Sequence, residues 1–242
     1  MEERLIYLSR LCDAYEFVNE CEAETQWATE KKALLDQLTI PDDIDELALA
    51  KTRFDGIERD VQKRSSQLDS INEKASNLNQ CDAQAELINL TIADVNNSWS
   101  NLRAKLNNKR DEFIHGEAKQ KFVLDVNETE LWIEEKITII DTTRDYGDTL
   151  SGVLALQRKL GTMQRDVHAI ESKIEKLKND AEKINQQYPQ DEEMTDAKLD
   201  VIDHKFTKLR DSLKLREEKL GQAGHMQTFM RDLAEYQVCV FV

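Results

Sequence analysis

Between Val153 and Ile184, apolar side chains recur at steps that alternate between three and four: Val153, Leu156, Leu160, Met163, Val167, Ile170, Ile174, Leu177, Ala181 and Ile184. A stripe held in that register over so many turns demands a long α-helix whose seam is covered by other helices. At about 1.5 Å per residue such a helix is roughly 50 Å long. The stripe also stands 106 residues earlier, as Leu47, Ala50, Phe54, Ile57, Val61, Arg64, Leu68, Ile71, Ala75 and Leu78. One member breaks it: Arg64 occupies the place of Ile170. An arginine there disturbs the packing of the first copy unless its head reaches water past its aliphatic stem. With only 7 Gly and 2 Pro in 242 residues there are few places to turn, so the chain reads as a small number of long helices.

The breaks divide those helices. A first helix is predicted over 4–38, anchored by Phe17 and Trp27 with Leu34, Leu35 and Leu38 behind; its stripe is ragged because Glu20, Glu24 and Lys31 fall near it. Pro41 stops it, and Asp43 followed by Glu46 is a capping-box-like start for a second helix over 44–78. Asp82 is the expected cap of a third helix carrying Ile88, Ile92, Val95, Trp99, Leu102, Leu106 and Phe113. From Asp111 to Glu130 the only breaker is Gly116, so this helix is predicted to run straight into the next one, which carries Phe122 and Trp132, with Gly116 as a soft point. Asp145–Asp148 forms the next turn, with Asp148 as a cap, and Tyr188–Asp191 the one after, with Asp191 as a cap. The last helix shows Leu199, Ile202, Phe206, Leu209, Leu213 and Leu220, and Gly221 and Gly224 predict weaker helix beyond it.

The repeat extends past the two stripes. Phe17 and Trp27 reappear 105 residues on as Phe122 and Trp132, Arg59-Asp-Val61 reappears as Arg165-Asp-Val167, and Trp99 is matched by Phe206. A third copy opens near the end: Phe229 follows Phe122 by 107 residues, and Cys239 stands where Trp132 would recur. The expected organisation is an all-α chain of tandem three-helix, left-handed coiled-coil bundles joined by a continuous helical linker, with units at 1–115 and 116–223 and an incomplete helix over 224–242.

Several function classes lose support. A formal net charge of −15 opposes non-specific nucleic-acid binding, which needs Lys and Arg against phosphate. His115, His168, His204 and His225 form no pair at i, i+4 and no H-E-x-x-H. Gly221-x-x-Gly224 has neither the strand nor the spacing of a phosphate loop, and Asp191-Glu-Glu193 has no calcium-loop pattern and reads as a helix start. No catalytic, cofactor-binding or metal residue is nominated, no cofactor is expected, and the chain is expected not to be an enzyme. Cys12, Cys21, Cys81 and Cys239 make no C-x-x-C, and Met1-Glu-Glu-Arg has no long apolar segment behind it, so a reduced, cytoplasmic setting is expected. The sequons at Asn89, Asn96 and Asn127 then carry no glycan.

Three helices per roughly 106 residues, a tryptophan in the first and another aromatic residue in the third, resemble the spectrin repeat. Asp125-Val-Asn-Glu-Thr-Glu-Leu-Trp132-Ile-Glu-Glu-Lys136 is similar to the family's first-helix signature, and Leu156-Gln-Arg-Lys-Leu160 with Arg165-Asp-Val167 to its second. Leu154–Leu160 and Phe229-Met-Arg-Asp-Leu233 are most similar to the middle rod of beta-spectrins, so the chain resembles two consecutive internal repeats of that type. The resemblance implies a structural, elastic rod segment of a membrane-skeleton filament at the cell cortex. It also implies antiparallel lateral pairing with alpha-spectrin, actin reached through other domains of a longer protein, and indirect membrane association. The alternatives are a protein- or lipid-binding repeat pair, or a rod segment of an alpha-actinin- or dystrophin-type crosslinker. In this reading Trp27, Trp99, Trp132 and Phe206 are all buried core.

Overall fold

The computed structural model describes the backbone of residues 2–78, 85–143 and 146–240, and the side chains of these from 4 to 236. The described residues form five α-helices and one short 3₁₀ turn: α1 (Glu2–Gln37), α2 (Ile44–Leu78), α3 (Ala85–Thr142), α4 (Leu150–Gln187), the turn at Pro189–Asp191, and α5 (Glu192–Val240). Two compact units divide the chain at 120/121, a point inside α3. The predicted run-through is therefore a single helix, and Gly116 does not interrupt it.

The helix starts are set by short polar side chains. Asp43 Oδ1 accepts from the amides of Asp45 and Glu46, both at 3.0 Å, satisfying two of the free N–H groups that open α2. At α4 the cap is Thr149 rather than Asp148: Thr149 Oγ1 accepts from Gly152 N at 3.2 Å. The chain reaches that cap through Gly147 at φ 87°. A β-carbon there would stand 2.7 Å from Val153 N, so both the left-handed backbone and the close approach require glycine. Asp191 lies buried in the 3₁₀ turn directly before α5. Asp82, expected to cap α3, lies outside the described residues, as does Asp145.

Each unit encloses its own core. The expected stripes are buried almost member for member: Leu47, Ala50, Phe54, Val61, Leu68, Ile71 and Ala75 on α2, and Val153, Leu160, Val167, Ile170, Ile174, Leu177, Ala181 and Ile184 on α4. Ile57, Leu78, Leu156 and Met163 pack against these cores while partly exposed. Helix α1 contributes Ala14, Phe17, Cys21, Glu24, Ala28 and Leu35, a three–four stripe that skips only the partly exposed Lys31 and is hidden in the sequence by its small and charged members. Leu34, grouped with the anchors, faces water instead. The matching stretch of α3 buries Phe122, Val126, Thr129, Ile133, Ile137 and Ile140.

Two glycines expected to weaken the last helix lie inside α5 without breaking it. Packing supports the helix around Gly224, where a β-carbon would meet Val153 Cγ1 at 3.6 Å, and at Leu220, whose carbonyl accepts from Gln157 Nε2 at 3.4 Å, while a β-carbon at Gly221 would meet only open space. Beyond them, Met226, Phe229, Met230, Leu233 and Tyr236 are exposed. Phe229 is 63% exposed, whereas Phe17 and Phe122, which it matches in sequence spacing, are buried. The side chain of Cys239 lies outside the described residues.

Candidate functional site

The four histidines are dispersed, His115 on α3, His168 on α4, and His204 and His225 on α5. His168 Nδ1 is 3.3 Å from Glu171 on its own helix. What the helices do assemble is a set of seams, where rings and charges decide how one helix sits on the next.

In the first unit the α1/α2 seam centres on Glu24, which is 2% exposed and whose two oxygens accept from Arg64 Nε at 3.1 and 3.0 Å. Arg64 is therefore not a defect of the stripe. Its side chain is 40% exposed, and its guanidinium pairs with Glu24 and lies 4.7 Å from the centre of the Trp27 ring. Trp27, expected as buried core, is only partly buried and stacks on the buried Trp99 of α3 at 5.6 Å with the planes 29° apart, and Arg103 covers the Trp99 ring at 5.4 Å. Trp99 Nε1 is buried without a hydrogen-bond partner among the described residues, a cost of about 1–3 kcal/mol that the ring's packing outweighs. Lys31–Asp60 and Lys74–Glu20, each 2.7 Å, flank the centre; as the residue number rises on α1 it falls on α2, so the helices are antiparallel.

The second unit repeats this seam with different chemistry. Lys136–Asp166 at 2.8 Å stands where Lys31–Asp60 stands, but Thr129 replaces Glu24 and Ile170 replaces Arg64, both buried. The expectation that Trp132 is core does not hold: the ring is 41% exposed. The stripe passes through the next residue, which is Ala28 in the first unit and Ile133 in the second. Alanine is smaller than isoleucine beside the ring, and Phe206 offers a smaller ring than Trp99 for stacking. Trp132 turns outward, with Lys173 at 4.4 Å over its face and Glu128 paired to the same lysine. Lys205 of α5 reaches Glu130 and Glu134 together, and hydrogen bonds to both hold its ammonium above the usual lysine range.

A second cluster lies where α3 leaves the first unit's core. Lys51 of α2 pairs with Glu117, Gln120 Nε2 donates to Asp42 O, and Lys119 is 3.6 Å from Asp42. A β-carbon at Gly116 would stand 2.7 Å from Ile40 Cγ2, so glycine lets the α1–α2 connection press against the helix. Gly116, the expected soft point, is instead a packed contact.

Ordinary effects shift the remaining groups. Burial, reinforced by the charge of Glu20, pushes the Cys21 thiol up to about 11. Hydrogen bonds from Lys105 and Lys31 hold Asp36 and Asp60 below the usual carboxylate range. Among the described residues no group of three or more His, Cys, Asp and Glu side chains is placed to hold a metal ion, and no described helix is long and apolar enough to cross a membrane.

Comparison with known proteins bears on this seam architecture directly. The Spectrin repeat family model matches residues 13–113 and 117–222. The chain is 32% identical over 232 residues to the Spectrin beta chain of Drosophila melanogaster, covering 94% of this chain and 10% of that protein. It is 28% identical over 231 residues to the erythrocytic Spectrin beta chain of Mus musculus (95% and 11%), and 25% identical over 239 residues to Spectrin alpha chain, erythrocytic 1, of Mus musculus (97% and 10%). The chain thus spans about a tenth of the length of the curated relatives it matches.

Proposed function

The chain belongs to the spectrin repeat family, and from that premise we propose that it is a structural rod segment of a cytoskeletal filament, working as an elastic spacer and a surface for lateral pairing. The repeats are assigned to 1–115 and 116–223, with 224–242 opening a third. The role involves no catalytic step. A similarity to both beta and alpha spectrin chains supports antiparallel pairing with an alpha-spectrin partner, and is consistent with a segment that works at the cell cortex with actin reached through other parts of a longer protein.

The observation that carries this reading is α3, one helix from Ala85 to Thr142 whose first part packs into one core and whose second part packs into the other. A helix bends sharply only by giving up hydrogen bonds, so twist or tension entering one core is passed to the next. Repeat units joined in this way gain stability from their neighbours and share part of their unfolding cost. Tension then opens a helix or a unit at a time and lets it refold, which lengthens the segment without rupture.

Stretching single molecules of the 242-residue chain tests this. Coupled units release together in a fraction of the pulls, and Gly116→Pro, which removes a helix hydrogen bond inside α3, abolishes those joint events. Unfolding steps that are always separate and uncorrelated in force, in the unsubstituted chain, refute the coupling. Sedimentation with an antiparallel alpha-spectrin fragment tests the pairing surface: a faster-sedimenting complex is expected, and its absence with longer fragments refutes pairing.

A further inference from the structure

Among the described residues three ion pairs tie α1 to α2, and one differs in kind. Lys31–Asp60 and Lys74–Glu20 each have one partner more than half exposed and no fully buried member, whereas the Glu24 carboxylate is 2% exposed and, among the described residues, pairs with Arg64. Pairs with a solvated partner and no buried member add little stability and discriminate weakly. Burying a carboxylate costs desolvation, so such a pair is usually no better than an apolar replacement of similar volume; with Arg64 40% exposed that cost falls on Glu24, and loss of its cation is the severe change. The second unit shows the alternative in the same fold, with Thr129 and Ile170 buried at these two positions.

We propose that Glu24–Arg64 is a register lock, selecting one longitudinal alignment of α1 against α2 in the first unit rather than adding to its stability. Heptad stripes are nearly self-similar, so a slip of seven residues exchanges apolar for apolar along most of a seam. At this layer it does not. Sliding the antiparallel α2 by one heptad sets Glu24 against Ile57 or Ile71 and Arg64 against Phe17 or Lys31. Either way the carboxylate is buried without its cation, and in one direction Arg64 is brought against another positive charge. Leaving such a charge unpaired disfavours the slipped states by about 10²–10³-fold. In the second unit the same slip meets Thr129 and Ile170, which impose no comparable penalty.

The test uses the 242-residue chain and gives the first unit its sister's residues: Arg64→Ile, Glu24→Thr, and both together. Denaturant unfolding is read alongside the indole N–H resonances, where Trp27 and Trp99 report the first unit and Trp132 is an internal control. Arg64→Ile is expected to raise the unfolded fraction of the first unit about 10²–10³-fold, because Glu24 stays buried alone. Glu24→Thr is expected to raise it about tenfold or less, because Arg64 can turn to water. The double variant returns to within about tenfold of the parent, but its Trp27 and Trp99 resonances split or broaden while Trp132 is unchanged. Arg64→Lys, which keeps the charge, retains one sharp set. Arg64→Ile proving no worse than Glu24→Thr overturns the proposal. So does a double variant with single, sharp Trp27 and Trp99 signals, or one whose first unit no longer folds, since the pair would then serve stability.

Discussion

Trp27 and Trp132 hold equivalent places in the repeat, yet truncating them should have unequal effects. A tryptophan buries about 150–250 Å² when enclosed, and at about 25 cal/mol per Å² the transfer cost of losing it approaches 4–6 kcal/mol as an upper bound. Trp132 is 41% exposed, so its share falls by nearly half, and its ring lies beside an open groove lined by Glu135, Lys136, Asp166 and Ala169, so no closed cavity is left behind. Trp132→Ala should cost about 2 kcal/mol. Trp27 is partly buried too, but it is stacked on the fully buried Trp99 at 5.6 Å beneath Arg64, so its loss also removes that ring contact and uncovers the Glu24–Arg64 pair. Trp27→Ala should cost about 4 kcal/mol. The difference of about 2 kcal/mol is roughly thirtyfold in the unfolding equilibrium. Guanidinium titrations followed by far-UV circular dichroism, compared at equal slope, measure it directly. If Trp132→Ala shifts the midpoint as far as Trp27→Ala does, the argument from burial is wrong.

Other positions give equally definite expectations. Gly147→Ala must place a β-carbon 2.7 Å from a backbone nitrogen at a positive φ, so it should destabilise the second unit by about 2–3 kcal/mol, and a melt unchanged from the parent contradicts the assigned turn. Trp99→Phe removes the partnerless indole N–H and installs the ring type that the second unit uses at Phe206, so relief and lost packing nearly cancel; a change within about 1 kcal/mol is expected in chemical denaturation, against about 3–5 for Trp99→Ala. For Cys21 the folded thiol titrates at about 11, above its ordinary 9.0, so the unfolded chain loses its proton first. The contribution is intact below about 9 and is lost as pH rises towards about 11. Cys21→Ala should flatten that part of the stability–pH curve, and an unaltered alkaline slope excludes the thiol as its source.

The long stripes of α2 and α4 were legible because Leu, Ile and Val mark them unambiguously, and so was the uninterrupted α3, because nothing between Asp111 and Glu130 stops a helix except Gly116. The stripe of α1 was obscured because Ala14, Cys21, Glu24 and Ala28 are not residues that announce a core; counting small residues at three–four spacing from Phe17 would have recovered it. Arg64 and Glu24 each look like an error in a single helix and make sense only as a pair across two, separated by 40 positions in the chain. Trp132 misled because its repeat position matches Trp27, while burial is decided by the neighbouring Ile133 and by the size of Phe206, which periodicity does not weigh. Asp148 and Thr149 are both good caps, and the choice between them follows from the path Gly147 imposes.

The claim everything else depends on is that α3 carries helix from one core into the next. Amide hydrogen exchange across residues 113–124 measures that most directly. An unbroken helix protects every amide in this window, including those at Gly116 and Glu117, to a degree comparable with its neighbours at Leu106 and Val126. Exchange at the rate of an unstructured peptide across Gly116–Gln120, with Leu106 and Val126 still protected, would mean the connector is not a helix in solution and would contradict the account.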